Sequence, residues 1–406
     1  MLKKSSSSRL AMLAAAILAG AAGCHSGSDL RDLPGEAERP RIGVVLPLSG
    51  NHAIYGQEIK AGIECAMEQL RREGRDREVP VLEFVDDRGN GADAAKAVER
   101  LATSGAAAAL VGYLSTEVLA VKTEAARLRF PVLSPTATNN EITSRNDYVL
   151  RACFSDDAQA KALAYYARYI RRCDRMAVLI DLDENAVYAR DLARLTGMNF
   201  NLYLGNMVRA GGYRESQPDF KMVLKELIAA APDVILVPAY PATAGKIVRQ
   251  ARELGYSGLL LGSDSWHGEE FFRNCGPNPG DVAFSSAYSP KLGTPAQLHF
   301  AKLFEERNGR EPGANAALGY DAGLMIAMAV RNAKTPEEII ANLRQIRNFT
   351  GSSGEITMLP DGEVARSIYM HSFKKDAQGK PILLLENIIR YSDLKRIPTP
   401  AQTEPK

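Results

Sequence analysis

The chain has 406 residues, 46% of them hydrophobic and 24% charged, a length that suits two or three domains with apolar cores. Its formal net charge is +2, and loss of Lys3, Lys4 and Arg9 with an N-terminal leader would take it to −1. So neutral a body gives no reason to expect nucleic acid or an anionic surface as its main partner.

The first predicted element is a leader. Lys3, Lys4 and Arg9 form a basic start, and Leu10 to Ala22 is an uncharged apolar run. That run is shorter than the ~20 residues needed to span a bilayer, so residues 1–23 are expected to be a signal peptide. It ends in Ala21-Ala22-Gly23-Cys24. Small residues before a cysteine resemble a bacterial lipobox, which makes Cys24 the expected lipidated residue. Ala21 stands where that pattern usually has Leu. Residues 24–40, rich in Ser, Gly, Pro and charge, suit a flexible tether. The other cysteines, Cys65, Cys153, Cys173 and Cys275, permit disulfides or buried thiols equally and have no metal-ligand spacing.

From residue 41 onward strands and helices alternate. Ile42 to Leu46 reads as a buried strand ended by Pro47, and Ile59, Ile63, Ala66 and Leu70 recur at helical spacing. Val81 to Val85, Ala107 to Val111 and Pro131 to Leu133 are further strands, with helices over Ala94 to Ala102 and Thr116 to Leu128. The alternation restarts with a helix over Ala158 to Ile170 and a strand over Met176 to Ile180; Tyr188 lies near the start of another helix. Strands are predicted at Asn201–Leu204, Val234–Val237 and Leu259–Leu261, and helices at Phe220–Ile228 and Gly245–Leu254. Two such rounds predict two α/β lobes, each a mainly parallel sheet covered by helices. Helices over Pro295–Arg307 and Ala314–Ala333, and one starting at Thr335-Pro336, follow. Ile356–Leu359, Pro360-Asp361-Gly362 and Ile368–Phe373 read as a hairpin-like segment, and residues 395–406 as a loose tail.

Ligands of open α/β sheets bind beyond the carboxyl ends of the strands. The first strand runs into Pro47-Leu48-Ser49-Gly50 and then Tyr55-Gly56. The third ends at Ser115 and Thr116, at the start of a helix, where free N–H groups favour an anion. The fourth ends in Thr136 and Thr138. These hydroxyls also suit capping and turns, but two such ends side by side make a pocket of donors fit for an α-carboxylate. In the second half Asp264 can accept from an ammonium or cap a helix, and Tyr240 and Trp266 can cover apolar parts of a ligand. No nucleophile elbow, zinc-protease motif, P-loop or dinucleotide fingerprint is present, and His25, His52, His267, His299 and His371 are dispersed. Neither an enzyme nor a cofactor is expected.

In this order, Pro47-Leu48-Ser49-Gly50 with Tyr55-Gly56, Val85-Asp86-Asp87, Leu133 to Asn139, Arg151 to Ala160, Arg249 to Arg252, Gly262-Ser263-Asp264 and Gly354 to Gly362 resemble the periplasmic leucine/isoleucine/valine-binding family of ABC-transporter substrate-binding proteins. The likeness runs from about Arg41 to about Tyr391. It implies a two-lobed clamshell with three crossings between lobes, one lobe at roughly 41–154 plus 287–364 and the other at roughly 155–286 plus 365–394. It implies that Thr116, Thr136 and Thr138, with Ser115, hold a ligand carboxylate. Asp264 would meet its ammonium, and Tyr55, Tyr188 and Tyr240 would line the cleft. Asp264 stands where the branched-chain binders have Glu, and Tyr113 where they have His. The partners implied are an amino-acid-like ligand, an ABC permease, and the membrane through the lipid on Cys24; a ligand-sensing receptor subunit without transport is the alternative.

Overall fold

The computed structural model describes residues 39–183 and 186–395. The expected signal peptide, Cys24 and the tail from residue 396 lie outside the described residues.

The first sheet is all parallel, in the order β2 (Val81–Asp86), β1 (Arg41–Leu46), β3 (Ala108–Val111), β4 (Val132–Ser134), β5 (Val149–Arg151). Its strands are short apolar runs because helices cover both faces. In β1, Ile42, Val44 and Leu46 pack under α1 (Ala53–Arg72) and α10 (Ala314–Val330). Val45 points the other way, towards α2 (Gly91–Thr103) and α3 (Ser115–Leu128). Asn90 caps α2 by accepting from the N–H groups of Ala92 and Asp93. Helices α1 and α10 cross backbone to backbone: a Cβ on Gly62 would sit 1.9 Å from the Ala316 carbonyl oxygen, and one on Gly319 2.4 Å from that of Ile59.

The second sheet runs β15 (Pro381–Ile389), β14 (Ile368–Lys375), β10 (Val282–Ser286), β9 (Leu259–Gly262), β8 (Val234–Val237), β6 (Arg175–Asp181), β7 (Asn206–Tyr213). It is parallel except at β14, which pairs antiparallel with both β10 and β15. In β8, Val234 and Leu236 join one core with α4 (Asp156–Tyr165) and α5 (Val187–Leu202). Ile235 and Val237 join another with α6 (Lys221–Ala229) and α7 (Pro241–Glu253). The two lobes and their mainly parallel sheets are thus those the sequence predicts.

Two local expectations are corrected. Asn201–Leu204 is not a strand: α5 runs on to Leu202 because Leu192, Thr196 and Phe200, all fully buried, continue its inner face at four-residue spacing. The strand begins at Asn206, after Leu204 turns the chain with φ +63°. The hairpin is also re-partitioned. β12 (Gly354–Met358) pairs with β11 (Phe349–Gly351) and with the short β13 (Val364–Ala365), while Ile368–Phe373 leaves for the second sheet and pairs with β10 and β15.

The chain passes between sheets after β5, after β10 and after β13. At the third passage Arg366, 4% exposed, donates to the carbonyls of Ala152 (2.9 Å) and Ala287 (2.7 Å), one in each of the other passages, and to Ser353 Oγ (2.7 Å). Ser353 and Ser352 are held in turn by the buried carboxylate of Asp321. One guanidinium therefore ties all three crossing segments. Cys65, Cys153, Cys173 and Cys275 are free and buried.

Candidate functional site

The loops that follow β1, β3 and β4 face those that follow β8 and β9 across a cleft. At the end of β3, Gly112 adopts φ +125°, a conformation glycine takes without strain, and turns the chain into Tyr113-Leu114-Ser115. The buried Glu117 fixes that turn, its Oε2 accepting from the N–H groups of Tyr113 (2.7 Å) and Leu114 (2.8 Å). Burial, and then the nearby Asp87 carboxylate, push the Glu117 carboxyl up. Ser115 and Thr116 are the first residues of α3, where N–H groups lack intrahelical partners.

Seven of the candidate residues line one cavity: Tyr55, Ser115, Thr136 and Thr138 from the first lobe, Tyr188, Tyr240 and Asp264 from the second. Thr116 does not. It faces the neighbouring outer part of the cleft, beside His52, Asn90, Asp181 and Glu215, with Leu114 and Tyr240 between the two spaces. The inner cavity has an accessible volume of about 60 Å³. One water needs roughly 10–15 Å³ by that measure, so the space suits a few waters or one small solute.

The hydroxyls are not equivalent. Thr136 donates to the Tyr113 carbonyl (3.2 Å), so it turns an acceptor to the cavity. Thr138 lies against the carboxyl of Asp156, which is fully buried and pushed by that burial up to about 8. Ser115 Oγ accepts from the Asn139 N–H (3.3 Å), which leaves its own hydrogen free to donate. Among the described residues no Lys or Arg side chain lines the cavity.

Asp264 sits just past β9, in a short 3-10 turn over Asp264–Trp266. Its Oδ1 accepts from Gln159 Nε2 (2.7 Å) and from the Tyr188 hydroxyl (3.1 Å). Burial raises its carboxyl, and those two donors partly offset the rise. Gln159 also donates to Ser285 Oγ (2.9 Å), so a fully buried amide locks the carboxylate in place. Nothing in the local sequence points to this partner 105 residues away.

Aromatic rings close the cavity. Tyr55 and Tyr113 stack with centroids 4.6 Å apart, and Tyr240 stands 6.5 Å from Tyr113 and 5.9 Å from Tyr188. Trp266 is a correction. It is fully buried away from the cavity, stacked on Phe271 at 4.5 Å, with its indole N–H donated to the Val237 carbonyl (3.1 Å). Gly262 makes room for it, since a Cβ there would lie 2.0 Å from the indole. His267, Ser286, Asn315 and Leu318, not singled out in sequence as cavity residues, line the cavity as well.

Two sheets joined by three crossings, with a small polar and aromatic cavity between them, define a two-lobed solute-binding protein. Residues 40–378 match the periplasmic binding protein family, and the chain belongs to that family, one of binding proteins and not of enzymes. It is 28% identical over 249 residues to the Leu/Ile/Val-binding protein homolog 3 of Brucella melitensis, a match covering 61% of this chain and 67% of that one. Among solved structures it resembles the leucine-binding protein LivK of Thermotoga maritima (28% identity, TM-score 0.77, 87% of this chain and 99% of that one). It also resembles the branched-chain amino-acid transporter substrate-binding protein LivJ of Streptococcus pneumoniae in complex with isoleucine (25% identity, TM-score 0.77, 87% and 100%). The fold is shared with an ABC-transporter solute-binding protein of Rhodopseudomonas palustris in complex with 3,4-dihydroxybenzoic acid (18% identity, TM-score 0.75, 90% and 99%). Among the described residues no helix is long and apolar enough to cross a membrane.

Proposed function

We propose that the protein is the extracytoplasmic substrate-binding lipoprotein of an ABC importer, anchored through Cys24, and that it captures an amino acid between its lobes. The lobes comprise residues 41–154 plus 287–364 and 155–286 plus 365–394. The observation that carries this reading is the polarity of the cavity: uncharged hydroxyls on one wall, the Asp264 carboxylate on the other, and, among the described residues, no Lys or Arg side chain between. A zwitterion matches both walls, its carboxylate at Ser115 and the start of α3, its ammonium at Asp264. An aromatic carboxylate would leave Asp264 facing a ring or a like charge. Tyr55, Tyr188 and Tyr240 enclose the remainder, and Thr136 and Thr138 shape the carboxylate wall. A ligand touching both lobes favours their closure, the state a permease partner would recognise.

The test is thermal unfolding of residues 41–395 against amino acids, small amides and aromatic carboxylates. A ligand at 100 times its Kd stabilises the folded state by about 2.7 kcal/mol, which is visible as a raised Tm. A shift with amino acids supports the proposal. A shift with benzoates alone would replace it.

A further inference from the structure

We infer that His267 reads a hydrogen-bond acceptor on the ligand's side chain, so that the preferred amino acid is polar and small, of the hydroxyl, amide or carboxyl class. This rests on the amino-acid reading above and deepens it. His267 follows Asp264 by three residues across a 3-10 turn, its N–H donating to the Asp264 carbonyl (3.3 Å). Side chains three apart on such a turn eclipse, and both line the same cavity. A group beside the ligand's ammonium is therefore also beside its side chain.

The imidazole is poised as a donor. Its Nδ1 lies 2.9 Å from Ser286 Oγ, its only ring hydrogen-bond partner among the described residues. Ser286 Oγ accepts from the Tyr288 N–H (3.2 Å) and still has its one hydrogen to give, which suits Nδ1 as the acceptor of that hydrogen. In the tautomer in which Nδ1 accepts that hydrogen, the ring carries its own hydrogen on Nε2, and it is this N–H that we assign to the ligand. Phe284, Tyr288 and His371 hold the ring at centroid distances of 5.9, 6.3 and 5.5 Å. Burial pushes the imidazole down to about 4, so it is a neutral donor at physiological pH.

Tyrosine rings supply much of the cavity's apolar lining, and few aliphatic side chains join them. Apart from alanines, Leu114 and Leu318 are the cavity's aliphatic residues. Asn315 is one of the groups that hold the buried Glu58 carboxyl down against the effect of its burial. An aliphatic side chain lodged there would leave the His267 N–H unpaired, and a site built to hydrogen-bond a polar group discriminates against analogues that lack it.

Isothermal titration with near-isosteric pairs, threonine against valine and asparagine against leucine, tests this in the wild type, His267→Leu and His267→Gln. The wild type should bind the polar member at least about tenfold more tightly. His267→Leu should erase or reverse that ratio while still binding valine or leucine. His267→Gln, which keeps an N–H donor, should restore much of it. Tighter wild-type binding of the apolar member, or an equal loss for both members in His267→Leu, overturns the inference and leaves the amino-acid reading standing. Binding of no amino acid at all overturns both. If His267→Leu does not fold, the wild-type ratio and His267→Gln decide.

Discussion

The hydroxyl of Tyr55 donates to Glu270 Oε2 across the cleft at 2.6 Å, from α1 of the first lobe to α8 (Glu269–Asn274) of the second. The same ring stacks on Tyr113 and lines the cavity. Its outer edge thus joins the lobes while its face encloses the space a ligand would fill. A second bond across the cleft, Asn139 Nδ2 to Asp191 Oδ2 at 2.9 Å, lies nearer the α3 and α5 surfaces.

Tyr55→Phe keeps the stack and deletes the bond. Ligand affinity should fall about three- to tenfold, mainly through faster release, because a bond made only on closure slows opening. Stopped-flow release rates check it. An unchanged rate would mean that the Tyr55–Glu270 pair does not act as a latch.

Asp264→Ala should weaken amino-acid binding by about 100-fold or more, since it deletes a charge-assisted bond, while Thr138→Ala should cost less than about tenfold. Both variants should melt close to the wild type. Calorimetry resolves the order, and a greater loss for Thr138→Ala would make the carboxylate wall dominant.

Affinity should also depend on pH in a defined direction. Burial raises the Asp264 carboxyl, so it protonates above the ordinary carboxylate value of about 3.9. Binding of an ammonium should weaken on acidification, starting above that value, and Asp264→Asn should bind weakly with a flatter profile. A wild-type affinity constant from pH 7 to pH 4 would exclude an ion pair at Asp264.

Asp156 makes an independent stability prediction. Its folded value is raised to about 8 from an unfolded value of about 3.9. The native state therefore holds a proton the unfolded chain releases. The stabilisation is complete below pH ~4 and is lost as pH rises through 8, at about 1.4 kcal/mol per pH unit between those values. Asp156→Asn should flatten the alkaline side of the Tm profile. An unchanged profile would show that Asp156 does not titrate in that range.

Gly319→Ala places a methyl 2.4 Å from the Ile59 carbonyl oxygen, which forces α10 away from α1. Overpacking of this kind costs about 1–3 kcal/mol, read as a lower denaturation midpoint. Because α1 carries Tyr55 and α10 begins beside the cavity, ligand affinity should fall as well.

Much of this was legible in the chain. Strand ends are set by local apolar runs and turn residues, so Thr136, Thr138 and Asp264 could be found as the groups just past β4 and β9. The neighbours that tune them could not. Gln159 and Glu270 reach the site from helices 105 and 215 residues away from Asp264 and Tyr55, and no periodicity encodes such a pairing. Trp266 misled because nearness in sequence to Asp264 says nothing of side-chain direction; the bare Gly262 drew the indole inward. Thr116, adjacent to Ser115, turns to the outer cleft because successive helical residues point about 100° apart. Asn201–Leu204 failed where a local β-like run was overridden by the buried face of α5.

Arg366 has a mechanical consequence. Points that stay fixed to both lobes during a rigid rotation lie on its axis, and the bonds from Arg366 to Ala152 and Ala287 bind the three crossing segments to one another. If those bonds survive the motion, the guanidinium is the fulcrum. Displacement then grows in proportion to distance from it, so the same small turn that barely shifts the crossing segments swings the rim of the cleft through a wide arc.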